Sequence, residues 1–247
     1  MLSLVEEDRL IKRRSISGER VRFIHIRGSN PDVPVETEKV SLAEPDTQTA
    51  LAIALGFVAP HSLLARNSLD DLERLWNARW FGGGYERYHS SAEPDQPGPW
   101  TFPTCFLLRA QHDARMFARS RRSLEWLNTV QGGRSGAWFE EIPIIRSQAP
   151  TAGILPWVSA EVAVFVVRHM LGVQFEDGQL LLRPALYPGS SHIEADLRFR
   201  HNRLKLEIPG AGPFKYAIVN GRNWPVDANG AIRLGRDFEG GHVQFHV

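Results

Sequence analysis

The chain of 247 residues has a single cysteine, Cys105. That excludes an internal disulfide and any cysteine-based metal cluster. No run approaches ~18 consecutive apolar residues, which argues against a transmembrane helix. Charge of one sign is also scarce. Lys plus Arg number 29 against 28 Asp plus Glu, a net +1, so no bulk field favours nucleic acid or a membrane surface. The start, Met1 to Arg14, is charged at Glu6, Glu7, Asp8, Arg9 and Lys12 and lacks the apolar core of a signal peptide. By default these absences point to the cytoplasm. The nine histidines show no helical i, i+4 pair and no adjoining carboxylate cluster, so neither a metal nor another cofactor is expected. Gly82-Gly83-Gly84 is not followed by Gly-Lys-Ser/Thr and is no phosphate loop.

What is present is aromatic. Seven Trp, thirteen Phe and four Tyr concentrate, with Gly and Pro, between Trp76 and Trp157. Three zones are visible. Residues 1–45 are weakly periodic, with a short strand at Val21–Ile26 and a loop at Ser29–Pro34. Residues 46–173 read as five helices: Thr47–Val58 opened by Asp46, Leu69–Trp80, Pro103–His112, Ala114–Val130, and Ser159–Leu171 capped by Ser159 and stopped by Gly172. Residues 174–247 change to period two. Ile193, Ala195, Leu197 and Phe199 alternate with charged residues, Leu204, Leu206 and Ile208 continue the pattern, and Asn220-Gly221 marks a hairpin. The expected fold is mainly α followed by an antiparallel β-sandwich.

Three stretches carry candidate chemistry. Gly136-Ala137-Trp138-Phe139-Glu140-Glu141 joins two carboxylates to two aromatics. A sugar site needs a carboxylate to activate water and aromatic faces to hold the ring; the plainer reading is a solvated or helix-capping acidic pair. Gly82 to Tyr88 and Pro97 to Thr104 offer Arg87, Tyr88 and a proline-flanked Trp100 as a hydroxyl-binding and stacking group, or simply a loop with a buried Trp anchor. Leu155 to Glu161 offers Trp157 as a cleft wall, while Ser159 and Glu161 suit the start of a helix. Cys105 reads best as a buried thiol.

The order of these pieces resembles glycoside hydrolase family 15, the glucoamylase- and trehalase-like enzymes. Asp46 to Pro60 (DTQTALAIALGFVAP), Gly83 to Tyr88 (GGYERY), Pro97 to Leu108 (PGPWTFPTCFLL), Gly136 to Glu141 (GAWFEE) and Leu155 to Val166 (LPWVSAEVAVFV) are similar to successive segments of that family. The resemblance implies a partial (α/α)6 toroid of the six-hairpin glycosidase type and hydrolysis of an α-glucoside or related glycosidic bond with inversion. It implies that Glu140, or Glu141 by a one-residue slip, is the general base. Arg87, Tyr88 and Trp100 would bind an oligosaccharide or glycoside, with Trp138 and Trp157 as walls. The family's acid lies upstream of the segment matching Asp46, and Glu6 and Glu7 lack its flanking Trp and Arg. A toroid needs ~200 residues, so an incomplete catalytic domain is expected. A non-catalytic sugar-binding fragment and a sugar phosphorylase, with Arg134 and Arg146 flanking the Glu140 loop, are the alternatives.

Overall fold

The computed structural model describes residues 4–15, 17, 19–27, 30–78, 82–89, 98–142 and 153–247, with side chains at 21–39 left aside. The chain divides into two compact units, Met1–Val162 and Ala163–Val247.

The first unit opens with small antiparallel pairs. Strands β1 (Val5–Glu6) and β2 (Arg9–Leu10) are joined through Glu7 and Asp8, both at positive φ. Strand β3 (Arg13–Arg14) pairs later with β6 (Ser41–Leu42). Between them β4 (Val21–Arg27) and β5 (Asn30–Lys39) form a two-stranded ribbon. The loop expected over 29–34 is thus largely strand from Asn30. Among the described residues the outer edge of β5 has no ladder partner, and at such an edge prolines lacking an N–H are tolerated.

Helix α1 (Ala50–Ala54) follows a 3-10 turn that Asp46 caps, its carboxylate accepting from the Gln48 amide at 2.8 Å. Helix α2 (Leu63–Leu72) starts at Ser62, whose hydroxyl accepts from the Ala65 amide. It gives way to a 3-10 turn at Glu73–Leu75. The helix expected over Leu69–Trp80 therefore ends early, because Trp76 is drawn into pairing with Tyr85; Trp80 lies outside the described residues. Helix α3 (Thr101–Asp113) is buried on nearly every side, only Phe102 and Asp113 being partly open. Its buried polar residues have partners, Thr104 donating to the Trp100 carbonyl, Arg109 to Glu161 and Gln111 to the Tyr85 oxygen, and Pro103 falls in the first turn, where its missing N–H costs nothing. Arg115, at φ 61°, turns the chain into α4 (Phe117–Thr129). Helix α5 (Pro156–Val164) begins at Pro156. Ser159, expected as its cap, instead donates to the Gly136 carbonyl at 2.9 Å. The helical path continues as a π-turn over Phe165–Met170 and stops at Gly172, φ 70°.

This architecture corrects the toroid. Among the described residues five short helices, one of only five residues, stand among several small sheets. A six-hairpin ring needs paired helices throughout, and residues that the periodicity assigned to helix are taken instead by 3-10 turns and strand bridges.

In the second unit, β7 (Val173–Glu176), β8 (Gln179–Leu182) and β13 (Ile232–Leu234) form one sheet in the order β13-β8-β7. The other has the order β12-β11-β14-β10-β9, from β9 (Ile193–Phe199), β10 (Asn202–Ile208), β11 (Tyr216–Val219), β12 (Arg222–Pro225) and β14 (Gly241–His246). The sheet is mixed rather than antiparallel: β10 and β14 run parallel. Period-two alternation sends Leu204, Leu206, Ile208, Val243 and Phe245 into one core with Leu180, Leu182, Ile232 and Leu234. The solvent face carries an ion chain. Lys205 contacts Glu207 and Glu194, and His242 lies 2.8 Å from Glu207.

Two predictions follow from this unit's geometry. A Cβ at Gly172 would stand 1.9 Å from the Arg183 carbonyl oxygen, whereas Gly221, also at positive φ, meets nothing within 4 Å. Gly172→Ala is expected to destabilise by about 2–4 kcal/mol and Gly221→Ala by about 1–2 kcal/mol, read by urea unfolding. The Lys205 and Gln244 hydrogen bonds hold the Glu207 carboxyl down to about 2 from its ordinary 4.5. A lowered folded value gives stability that is present above the unfolded value and lost as pH falls towards the folded one. Unfolding profiles between pH 5 and 2 should therefore be steeper for the wild-type chain than for Glu207→Gln, with the difference shrinking in high salt.

Candidate functional site

Four separate chain segments meet in one narrow ladder. Trp76 pairs with Tyr85, Tyr85 with Trp100, and Trp100 with Glu141, all antiparallel. The amides of Asn77 and Glu86 donate to the carbonyls of Gly84 (2.8 Å) and Leu75 (2.9 Å), and Trp100 donates to Tyr85 (2.8 Å). Thr101 then donates to Glu140 (3.0 Å) and Ile142 to Pro99 (2.9 Å). Gly83 is required for the close approach, since a Cβ there would lie 2.4 Å from the Trp76 ring.

Residues paired across such a ladder share a face, and their neighbours take the other. On the first face Tyr85, Trp100 and Glu141 are all buried. Tyr85 is fully enclosed and its hydroxyl donates to Glu73. Gln111 donates to the Tyr85 oxygen at 2.7 Å, and Arg122 donates to it at 3.1 Å and to Glu73 at 2.7 Å. Arg122 also lies 3.7 Å over the Trp76 ring, which meets Tyr85 edge-on. Burial, reinforced by the Glu73 carboxylate, raises the Tyr85 hydroxyl pKa above its ordinary value, so it stays protonated and remains a donor.

The second face carries Glu86 and Glu140, both partly exposed, among buried Leu75, Pro99, Thr101 and Ile142. Among the described residues the Glu140 carboxylate has no hydrogen bond or ion pair. Glu86 accepts one bond, from the Asn77 side chain at 3.3 Å. Burial raises the Glu86 carboxyl above its ordinary value.

Beside the ladder a basic aromatic corner forms. Tyr88 bridges to Asp46, and the buried Asp46 carboxylate pairs with Lys12 at 2.8 Å. Lys12 stands 4.5 Å over the Tyr88 ring, while Arg87 stands 4.8 Å from that ring and 5.3 Å from Trp100.

The residues singled out from sequence thus fall into three places. Arg87, Tyr88, Trp100 and Glu141 come together, with Trp100 as a buried support under the guanidinium. Glu140 stands on the opposite face of the same ladder. Trp138 is buried, and its indole N–H donates to the Leu127 carbonyl at 2.7 Å. Trp157 is half exposed and stacks on Phe102 at 4.6 Å and 13°. Arg134 is exposed, and Arg146 lies outside the described residues. Glu161, expected as a first-turn acid, pairs with Arg109 at 2.6 Å. The buried Cys105 thiol is raised by desolvation and is a poor nucleophile.

Sequence reasoning missed Lys12, Glu73, Gln111, Arg122 and Glu86. The first four join through contacts 26 to 49 residues apart or longer in sequence, which no local spacing records. Glu86 had a signal: it stands inside the Gly83–Tyr88 motif, between two residues that were weighed. No family model matches the chain, and no curated protein matches it.

The covered network makes a stability prediction. Tyr85→Phe leaves Glu73, Gln111 and Arg122 without their shared oxygen and is expected to cost about 1–3 kcal/mol in urea unfolding.

Proposed function

We propose that the first unit binds a glycoside beside the ladder and hydrolyses its glycosidic bond with Glu140 as the general base. The observation that carries this reading is the difference between the two adjacent acids. A base must be ionised, reachable and free of a competing partner. Glu141 is 6% exposed and already engaged; Glu140 is partly open and has no partner among the described residues. Arg87 supplies N–H donors for sugar hydroxyls, and the outer face of Trp157 offers an aromatic surface for a pyranose ring. The order of motifs resembling glycoside hydrolase family 15 supports the same chemistry and an α-glucoside as first substrate, without that family's toroid.

A sugar-binding site without turnover is the second reading. It is favoured by Trp157, whose exposed ring already stacks on Phe102 and needs no carboxylate to hold a sugar. The two separate on a panel of aryl and natural α-glycosides, with binding followed by calorimetry. Hydrolysis is expected for the wild-type chain, with Glu140→Gln lowering kcat by about 10²–10⁴ and leaving sugar binding within a few-fold. Binding with no turnover in the wild-type chain would select the second reading. Turnover untouched by Glu140→Gln would remove Glu140 as base.

A further inference from the structure

Among the described residues, four strands of the second unit stand at sheet edges: β7, β9, β12 and β13. Such edges are ordinarily kept from pairing by shortness, proline or a bulge. β7 has four residues and β13 three, and β12 ends in Pro225, which offers no N–H. β9 has none of these defences. It runs for seven residues without proline, glycine or a register shift against β10. Arg200 and His201, both at positive φ, make a two-residue turn that closes the Phe199–Asn202 pair with hydrogen bonds. Alternation along the ladder then turns the backbone N–H and C=O groups of Arg198, Asp196 and Glu194 away from β10. Among the described residues no other backbone group takes them up.

The side chains of β9 are complementary to themselves. Laid antiparallel to a second copy about Asp196, the strand sets Glu194 against Arg198, Ala195 against Leu197 and Ile193 against Phe199. Opposite charges meet twice. The apolar pairs fall on the core side, where Ile193, Ala195 and Leu197 are only partly buried. Arg198 is exposed, and among the described residues its guanidinium has no hydrogen bond or ion pair. Glu194 is exposed too, with His192 and Lys205 each at 3.3 Å, and its carboxylate has capacity for a further donor. The two Asp196 carboxylates come to the two-fold axis, each already neutralised by its own Arg203 at 2.7 Å. A slip of two residues one way opposes Glu194 and Asp196, which repel. A slip the other way opposes Asp196 and Arg198, but it competes with Arg203 and overlaps residues 195–199 alone.

We propose that β9 is a docking edge for a second copy of this chain, the two β9 strands pairing antiparallel about Asp196 so that their five-stranded sheets become continuous. The contact is isologous, and each of its three outward-facing pairs exchanges two backbone hydrogen bonds. An edge-to-edge contact is narrow, at the low end of interface sizes. The dimer is therefore reversible, it grows with protein concentration, and its charge pairs make it weaken in salt.

Sedimentation of the full chain from micromolar to millimolar concentration should show a monomer–dimer equilibrium. Arg198→Glu sets carboxylates against each other at both charge pairs and should weaken the dimer by about tenfold or more. Its stability in urea should hold or rise, because the new carboxylate faces Arg203 across β10. Glu194→Arg should weaken the dimer likewise. An equimolar mixture of the two variants recovers both opposite-charge pairs and should dimerise as the wild-type chain does. Under mild oxidation Asp196→Cys should form a disulfide-linked dimer, since the Cα atoms meet at ~5.5 Å on the axis, whereas Glu194→Cys should not. The native thiol, Cys105, is buried and does not compete. This second readout covers the case in which Glu194→Arg folds poorly. A wild-type chain that stays monomeric throughout, self-association unchanged by Arg198→Glu, or cross-linking of Glu194→Cys as ready as that of Asp196→Cys would each overturn the proposal.

Discussion

Tyr85 is held at both ends, and the rest of the first unit is arranged around that. Its amide accepts no freedom: it donates to the Thr104 hydroxyl at 3.0 Å, and its carbonyl takes the Trp100 amide at 2.8 Å. Its hydroxyl is shared by Glu73, Gln111 and Arg122. One residue therefore links the end of α2, two helices of the α3–α4 hairpin and the entry to α3. Each of those groups is charged or polar and lies in or against the core. Left alone, any of them would cost of order 1–3 kcal/mol. Together they are satisfied only when the ladder is in register, so local pairing and tertiary packing enforce each other.

The same register sends neighbouring side chains into different surroundings. In a strand, consecutive side chains take opposite sides, so a doublet such as Glu140-Glu141 is divided automatically. Glu141 falls on the covered side with Trp100. A buried carboxylate must stay paired, because an unpaired charge in the interior costs several kcal/mol. It is thus committed to the fold. Glu140 is partly exposed and carries no such cost. Two adjacent acids, indistinguishable by their order in the chain, differ in burial because they take opposite sides of a strand.

What was legible in the sequence was local. Asp46 as a cap, Gly172 as a stop and the alternation from Ile193 through Ile208 each follow from chemistry within a few residues. Asn220-Gly221 is of the same kind, joining β11 to β12. What was hidden depends on partners far along the chain. Single-residue bridges have no period, so Trp76, Tyr85, Trp100 and Glu141 left no pattern to read. Leu69, Leu72, Leu75 and Trp76 kept a helical spacing although the helix ends at Leu72. Ser159 stands at a plausible cap position, yet Pro156 starts the helix and frees the hydroxyl for the Gly136 carbonyl. The resemblance to a six-hairpin enzyme rested on helices flanking aromatic loops. Those flanks exist, but a bridge ladder and a buried α3 organise them, rather than a ring of hairpins.

The ladder also explains why aromatic content concentrates between Trp76 and Trp157. Short non-local pairings gain little from backbone hydrogen bonds alone, each worth about 1 kcal/mol net, and must repay loop closure. Large side chains supply the difference. Trp76 packs edge-on to Tyr85, Trp126 stands where a Cβ at Gly84 would be, and Trp138 anchors its loop to the last turn of α4 through Leu127. Most of the tryptophans that suggest a sugar cleft are therefore spent on holding the ladder. Among the described tryptophans of this unit, Trp157 is the one whose ring remains half open, and any sugar platform here would be built outward from it, not from the aromatic count.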